Sequence, residues 1–200
     1  MQIGILNINQ GNLYSVECAL NKISNKVIYV EDFRSLNKID ILVLPGVGAF
    51  NNYVQNIRSQ DLYNPIIEFV NRNKKIIGIC VGMQILFDFG EENEKVNGLG
   101  LLKGNCKQNK SGMNVGYRKL KNNSLDKDNF FKEFDDEEFY FTHSYSIKKN
   151  DAIGTQSMTI SLNETSIIAA ITKKNIFGTQ FHPELSGDVG IKFLKKIINE

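Results

Sequence analysis

One pattern repeats through the N-terminal half of this chain, and it restricts the fold more than any other feature. Gln2 to Ile8 is an apolar run of strand length ending in Asn9-Gln10-Gly11-Asn12, after which Leu13, Val16, Leu20 and Ile23 recur at helical spacing. Val27 to Val30 and Ile39 to Leu44 are further apolar runs, the second rich in branched residues, as a strand covered on both faces requires. Pro45-Gly46-Val47-Gly48 stops that run sharply. Asn64-Pro65 predicts a helix start, with Asn as cap and Pro at the first helical position, leading into Ile66, Ile67, Phe69 and Val70. Lys75 to Ile79 then predicts a buried strand. Strands alternating with helices imply an α/β fold, a doubly wound and mostly parallel sheet flanked by helices, whose ligands gather at the carboxyl ends of the strands.

Beyond Phe89 the pattern changes. Gly90 to Asn123 is rich in Asn, Gly, Glu and Lys and predicts loops. From Glu138 to Gln180 strand signals return in Phe139-Tyr140-Phe141, Ile153 to Ile160, Ile167 to Ile171 and Ile176 to Phe181, separated by turn signals, which predicts an antiparallel extension of the sheet. Ser186 to Ile198 predicts a closing helix with Phe193, Leu194, Ile197 and Ile198 on one face. The 200 residues suit a single domain over 1–200.

Charge excludes some functions. Lys and Arg number 24 against 22 Asp and Glu, scattered along the chain, so there is no basic stripe for nucleic acid. No apolar stretch is long enough to span a bilayer and Met1-Gln2-Ile3 leads directly into a strand, which together predict a cytoplasmic protein without membrane attachment. Cys18, Cys80 and Cys106 are too few and too irregularly spaced for a disulfide framework or a zinc site. No metal or cofactor is expected.

Gly78-Ile79-Cys80-Val81-Gly82 has the G-x-nucleophile-x-G form between a predicted strand and a predicted helix. A corner that tight strains its central residue and brings backbone against backbone, so glycine is required on both sides. The following helix, with Met83, Leu86 and Phe87 buried, would aim its N-terminal amides at the sulfur and favour the thiolate. A thiolate needs a base, and the chain has two histidines, His143 and His182. His182 follows an apolar strand in Gln180-Phe181-His182-Pro183-Glu184, so it also falls at a strand's carboxyl end, with Glu184 able to fold back and orient the imidazole. His143 is the competing base, although Phe141-Thr142-His143-Ser144-Tyr145 reads more as a loop that binds substrate through backbone groups. Gly48 in the Pro45 turn and Val81 N–H after the nucleophile are candidate oxyanion donors. Gln84, one helical turn beyond Cys80, and Glu92, in the loop after that helix, are candidate ligands for a polar substrate and its ammonium group. Cys18 lies off the apolar stripe of the first helix and Cys106 in a polar loop; neither carries chemistry here.

Taken in order, Pro45-Gly46-Val47-Gly48-Ala49-Phe50, Gly78 to Gln84 and Gln180 to Glu184 resemble the class I (triad) glutamine amidotransferases, most nearly the branch of glutaminase subunits of imidazole glycerol phosphate synthase. The resemblance runs from the first strand to the last helix, with weaker support from Gly11-Asn12-Leu13 and Gly98 to Leu102. It implies that Cys80 attacks the side-chain amide of L-glutamine, His182 passes a proton to the leaving ammonia and Glu184 holds His182. It further implies that Gln84 and Glu92 hold the substrate's amino acid moiety, that Thr142, His143 and Ser144 contact its carboxylate, and that Gly48 and Val81 supply the oxyanion donors. The implied partner is a cyclase subunit of (βα)8 barrel type, forming a heterodimer that uses the ammonia in histidine biosynthesis.

The resemblance departs on the partner side. Leu185 stands where the branch usually has Lys, Tyr117 where Trp is usual, and Asn7-Ile8 where Asp-Tyr is common. A paralogue supplying ammonia to another acceptor, such as a nucleotide sugar for cell-surface glycan, is one alternative these departures leave open. Two others are a cysteine hydrolase or peptidase on the same scaffold, and a binding subunit without catalysis.

Overall fold

In the computed structural model, which describes residues 1–9, 12–122, 129–152 and 155–200, the N-terminal alternation is realised as β1 (Ile3–Leu6), α1 (Leu13–Asn21), β2 (Val27–Val30), α2 (Phe33–Leu36), β3 (Ile41–Leu44), α3 (Phe50–Ser59), α4 (Tyr63–Asn71), β4 (Lys75–Ile79) and α5 (Val81–Gln84). The following segment adds β5 (Phe89–Gly90), β6 (Val96–Asn97), β7 (Asn105–Gln108), β8 (Asn114–Lys119), β9 (Lys121–Asn122), β10 (Glu138–His143) and β11 (Tyr145–Ile147). Then come β12 (Gln156–Leu162), β13 (Thr165–Lys173), β14 (Ile176–Thr179) and α6 (Gly187–Asn199). Gln10 and Gly11 of the first turn, Asn123 at the end of the predicted loop and the expected strand start at Ile153 lie outside the described residues.

The main sheet has the order β2-β1-β3-β4-β14-β13-β12-β9. Its left half through β14 is parallel and β12, β13 and β14 continue it antiparallel, as the sequence predicts. Alternate residues of one strand reach opposite cores: Leu42 and Leu44 pack with α3 and α4 residues Tyr53, Ile57, Ile66 and Phe69, while Ile41 and Val43 pack with Val16, Leu20, Phe193 and Ile197 of α1 and α6. Burial on both faces is why β3 and β4 read as continuous apolar runs.

Five expectations are corrected. The polar stretch predicted as loops contains β5 to β9; β8 is exposed along most of its length and gains its conformation by pairing with β10, whose Phe139 and Phe141 bury. Thr142 and His143 accordingly sit on a strand rather than in a loop, and β10 pairs with β8 in a separate sheet instead of extending the main one. Helix α4 starts two residues early, with Leu62 as its cap and Pro65 as its third residue, tolerated because first-turn N–H groups have no intrahelical partner. Cys106 is buried on β7 rather than in a polar loop.

Helix α3 has no counterpart in the sequence reading. Its apolar stripe is only Phe50, Tyr53, Val54 and Ile57, all buried, set among Asn51, Asn52, Gln55 and Asn56.

Candidate active site

The site begins with the strained corner after β4. Cys80 has φ 52° and ψ −111°, a region that side chains rarely occupy. Its flanking glycines hold it there by close approach: a Cβ on Gly78 would lie 2.4 Å from Gly82 O, and one on Gly82 would lie 2.1 Å from Leu44 O. The loop after β3 presses on the same corner, since a Cβ on Gly46 would fall 1.7 Å from Ile79 O. The helix that follows is a single turn, α5, so Met83, Leu86 and Phe87 are buried as expected but only Met83 lies within the helix. The expected helix dipole is therefore reduced to the local N–H groups of that first turn, of which Val81 supplies the first.

Strand register brings the second half of the site alongside. Ile79 pairs with Thr179 across β4 and β14, and Cys80 N–H donates to Thr179 O at 2.7 Å. His182 therefore emerges beside the Cys80 corner. Its own N–H donates to Tyr140 O at 2.8 Å, and Ser186 Oγ donates to His182 O at 2.6 Å, which fixes the backbone on both sides. Pro183 to Leu185 form one tight turn, and that turn folds Glu184 back so that its Oε1 accepts from His182 Nδ1 at 2.7 Å. Both side chains are almost wholly buried.

A carboxylate on Nδ1 makes that nitrogen an N–H in either state, so Nε2 carries the lone pair in the neutral ring and the second proton in the charged one. Nε2 makes no hydrogen bond of regular geometry among the described residues, which leaves it free toward the cavity, while Cys80 is near enough to act on the ring both as a hydrogen-bonding partner and through charge. Burial opposes charge on the ring, yet the side chains of Cys80 and Glu184 outweigh it and raise the His182 pKa to about 10.

His143 has the opposite surroundings. Its Nδ1 lies 2.9 Å from Tyr145 O, which only accepts, so Nδ1 is the N–H and Nε2 accepts from Asn114 Nδ2 at 3.0 Å. Burial is the main cause that brings its pKa down to about 4. A neutral ring with both nitrogens engaged has no lone pair to offer Cys80, which removes His143 as a competing base.

One cavity of about 280 Å³ collects most of the predicted residues: Gly48, Cys80, Val81, Gln84, Glu92, Thr142, His143, Ser144 and His182 all line it, and Glu184 stands behind His182. Gly48 has φ 119°, which glycine tolerates. Glu92 is held in place by Phe50 N–H, which donates to its Oε2 at 2.8 Å, and by Asn51 Nδ2, which donates to its backbone O at 2.5 Å. Gln84 is partly committed: its Nε2 donates to Tyr145 O at 2.8 Å and to Gln180 Oε1 at 3.1 Å, leaving its carbonyl oxygen for the cavity.

Sequence reasoning passes over Tyr145 as a lining residue and over Asn109, Asn114 and Asn51 as supports. The asparagines sit in polar stretches where nothing distinguishes a buried amide from a solvated one. Among the cysteines, Cys18 is exposed, and burial pushes the Cys106 thiol well above its ordinary value, which keeps it protonated.

This fold and this cavity define a known class. Residues 6–198 match the family model for glutamine amidotransferase class-I, and the chain belongs to that family. Among its relatives, the imidazole glycerol phosphate synthase subunit HisH of Lactococcus lactis subsp. lactis is 37% identical over 202 residues, covering 100% of this chain and 98% of that protein. The subunit HisH of Bacillus subtilis is 34% identical over 200 residues, 96% of this chain and 93% of that one. The imidazole glycerol phosphate synthase hisHF of Emericella nidulans is 31% identical over 98% of this chain, which spans 38% of that longer protein. The structure of PurLQS from Thermotoga maritima shares the fold, with TM-score 0.76, 23% identity and coverage of 99% of this chain and 97% of that chain.

Proposed function

We propose that Cys80, His182 and Glu184 form the catalytic triad of a glutaminase and that the 280 Å³ cavity beside them receives L-glutamine. The chain is the glutaminase subunit of an imidazole glycerol phosphate synthase, acting in histidine biosynthesis, in keeping with relatives of that name matched along nearly their full length. The observation that carries the triad is the tautomer of His182: Glu184 holds Nδ1–H at 2.7 Å and so turns a lone pair or a proton on Nε2 toward the cavity that Cys80 lines.

The steps follow from that geometry. The Cys80 thiolate attacks the carbon of the substrate's side-chain amide, and the oxyanion that forms accepts from backbone N–H groups at Gly48 and Val81. His182, held protonated by its two neighbours, gives its Nε2 proton to the amide nitrogen; the C–N bond breaks and ammonia leaves, with a glutamyl thioester on Cys80. Water then attacks the thioester while Nε2 takes its proton, the C–S bond breaks, and glutamate is released. Glu92 takes the substrate's ammonium group, Gln84 accepts from it through its carbonyl oxygen, and the 142–144 segment binds the carboxylate.

Ammonia passes to a cyclase subunit of (βα)8 barrel type. Its docking surface includes the exposed Val115 and Tyr117 of β8 and the exposed Leu185, whose backbone O accepts from Tyr117 O–H at 3.2 Å beside the His182 turn. The protein works in the cytoplasm as one domain over 1–200; among the described residues no helix is long and apolar enough to cross a membrane. Glutamate release from glutamine, measured for the chain alone and for the co-purified complex, tests the reading. Weak activity alone and strong activity in the occupied complex are expected. Strong activity of the isolated chain contradicts the partner dependence, and none in either sample contradicts the function.

A further inference from the structure

Gln180 is completely buried beside the nucleophile, and the mechanism above gives it no part. Its orientation follows from its neighbours. Tyr145 O can only accept, so the end of Gln84 that lies 2.8 Å from it must be the NH2 group. That same Nε2 lies 3.1 Å from Gln180 and donates to its Oε1. With its oxygen turned to Gln84, Gln180 presents its NH2 group on the other side, 3.7 Å from Cys80 Sγ. Reversing the Gln180 amide would set two NH2 groups against each other at Gln84 and a carbonyl oxygen against the sulfur, so the chain of contacts permits one direction only.

Cys80 Sγ has a second neighbour of opposite character. Thr142 O, at 3.9 Å, accepts from the thiol S–H and has nothing to offer a thiolate. The sulfur thus has one partner suited to each of its protonation states. His143 steadies the origin of the chain, since its Nδ1–H donates to the same Tyr145 O at 2.9 Å.

We propose that Gln180 is a positioning residue for the nucleophile: its Nε2–H donates to the Cys80 sulfur when the thiolate forms, and Gln84 transmits the direction of that donor from the Tyr145 carbonyl. The proposal rests on the reading of Cys80 as the nucleophile. It makes the thiolate dependent on a neutral amide as well as on His182. It also joins the sulfur to the cavity wall, because Gln84 belongs to both.

Alkylation of Cys80 by iodoacetamide, followed by mass spectrometry across pH on the full chain, tests it. Gln180→Met keeps the length and the burial and removes the donor; Gln180→Glu replaces the donor with an acceptor. The rate at neutral pH is expected to fall about tenfold in Gln180→Met, as loss of one hydrogen bond to a charged group requires, and the pH–rate profile moves to higher pH in both variants, further in Gln180→Glu. A folded Gln180→Met whose profile matches the unsubstituted protein overturns the proposal. Should both variants unfold, the side-chain NH2 resonances of Gln180 in the unsubstituted protein decide: they must move with pH in step with Cys80 alkylation, and stationary resonances overturn it. Failure of the glutaminase reading is separable, since glutamine would then neither be hydrolysed nor protect Cys80 from iodoacetamide, whatever the profile shows.

Discussion

His143 and His182 border one cavity from neighbouring strand ends, both are buried, and burial pushes both toward the neutral form. They end at about 4 and about 10. The difference is in what each ring touches. His143 meets two uncharged asparagine amides and a backbone carbonyl, and the carbonyl's preference for a charged ring does not outweigh burial. His182 meets a carboxylate and lies beside the Cys80 side chain, and both raise its pKa. Position beside a cavity therefore does not make a histidine an acid or a base; the charge of its partners does.

The sharpest way to break the comparison is to remove the sulfur and each ring in turn. Cys80→Ala removes the proposed nucleophile and is expected to lower glutamine hydrolysis by at least ~10⁴-fold, while synthesis from added ammonia in the complex persists. His182→Ala is expected to cost about 10³-fold, read as glutamate formed per enzyme. His143→Gln keeps a hydrogen-bonding amide at the other position and is expected to cost less than about tenfold in kcat; a loss matching that of His182→Ala would mean that the roles are assigned the wrong way round.

A smaller effect concerns stability. His182 binds its proton more tightly folded than unfolded, so its contribution is complete below the ordinary histidine value of about 6.5 and is lost as pH rises through about 10. His143 has the reverse sign: as pH falls from about 6.5 toward about 4, the unfolded chain gains a proton that the folded one refuses, and stability is lost over that window. Melting temperature across pH should show an alkaline slope that is reduced in His182→Gln and an acid slope that is reduced in His143→Gln. Unchanged slopes in both variants would remove the electrostatic account of the pair.

The parallel half of the fold is legible in the sequence because strands such as Ile41–Leu44 are buried on both faces and so carry an unbroken apolar signal. Cys80 is legible for a related reason: the corner that strains it needs glycine at 78 and 82, and glycine is visible in a sequence. The register of β14 on β4 then does the rest, setting His182 beside a residue about a hundred positions earlier. What sequence hides is conformation imposed by pairing. The segment from Asn114 to Lys119 is polar and mostly exposed, and only its pairing with β10 makes it a strand. Asn109 and Asn114 contact the His143 ring from within such stretches, and the tautomer that disqualifies His143 as a base depends on a carbonyl two residues away in the chain but turned toward its ring by the fold.

The central claim is that Cys80 is the sulfur on which glutamine is opened and that His182 serves it. A diazoketone analogue of glutamine, incubated with the complex and followed by peptide mass spectrometry, tests this directly. The label is expected on Cys80 alone, to be prevented by excess glutamine, and to form far more slowly in His182→Ala. Label on Cys18 or Cys106 instead, or equal labelling of Cys80 with and without the His182 ring, would contradict the account.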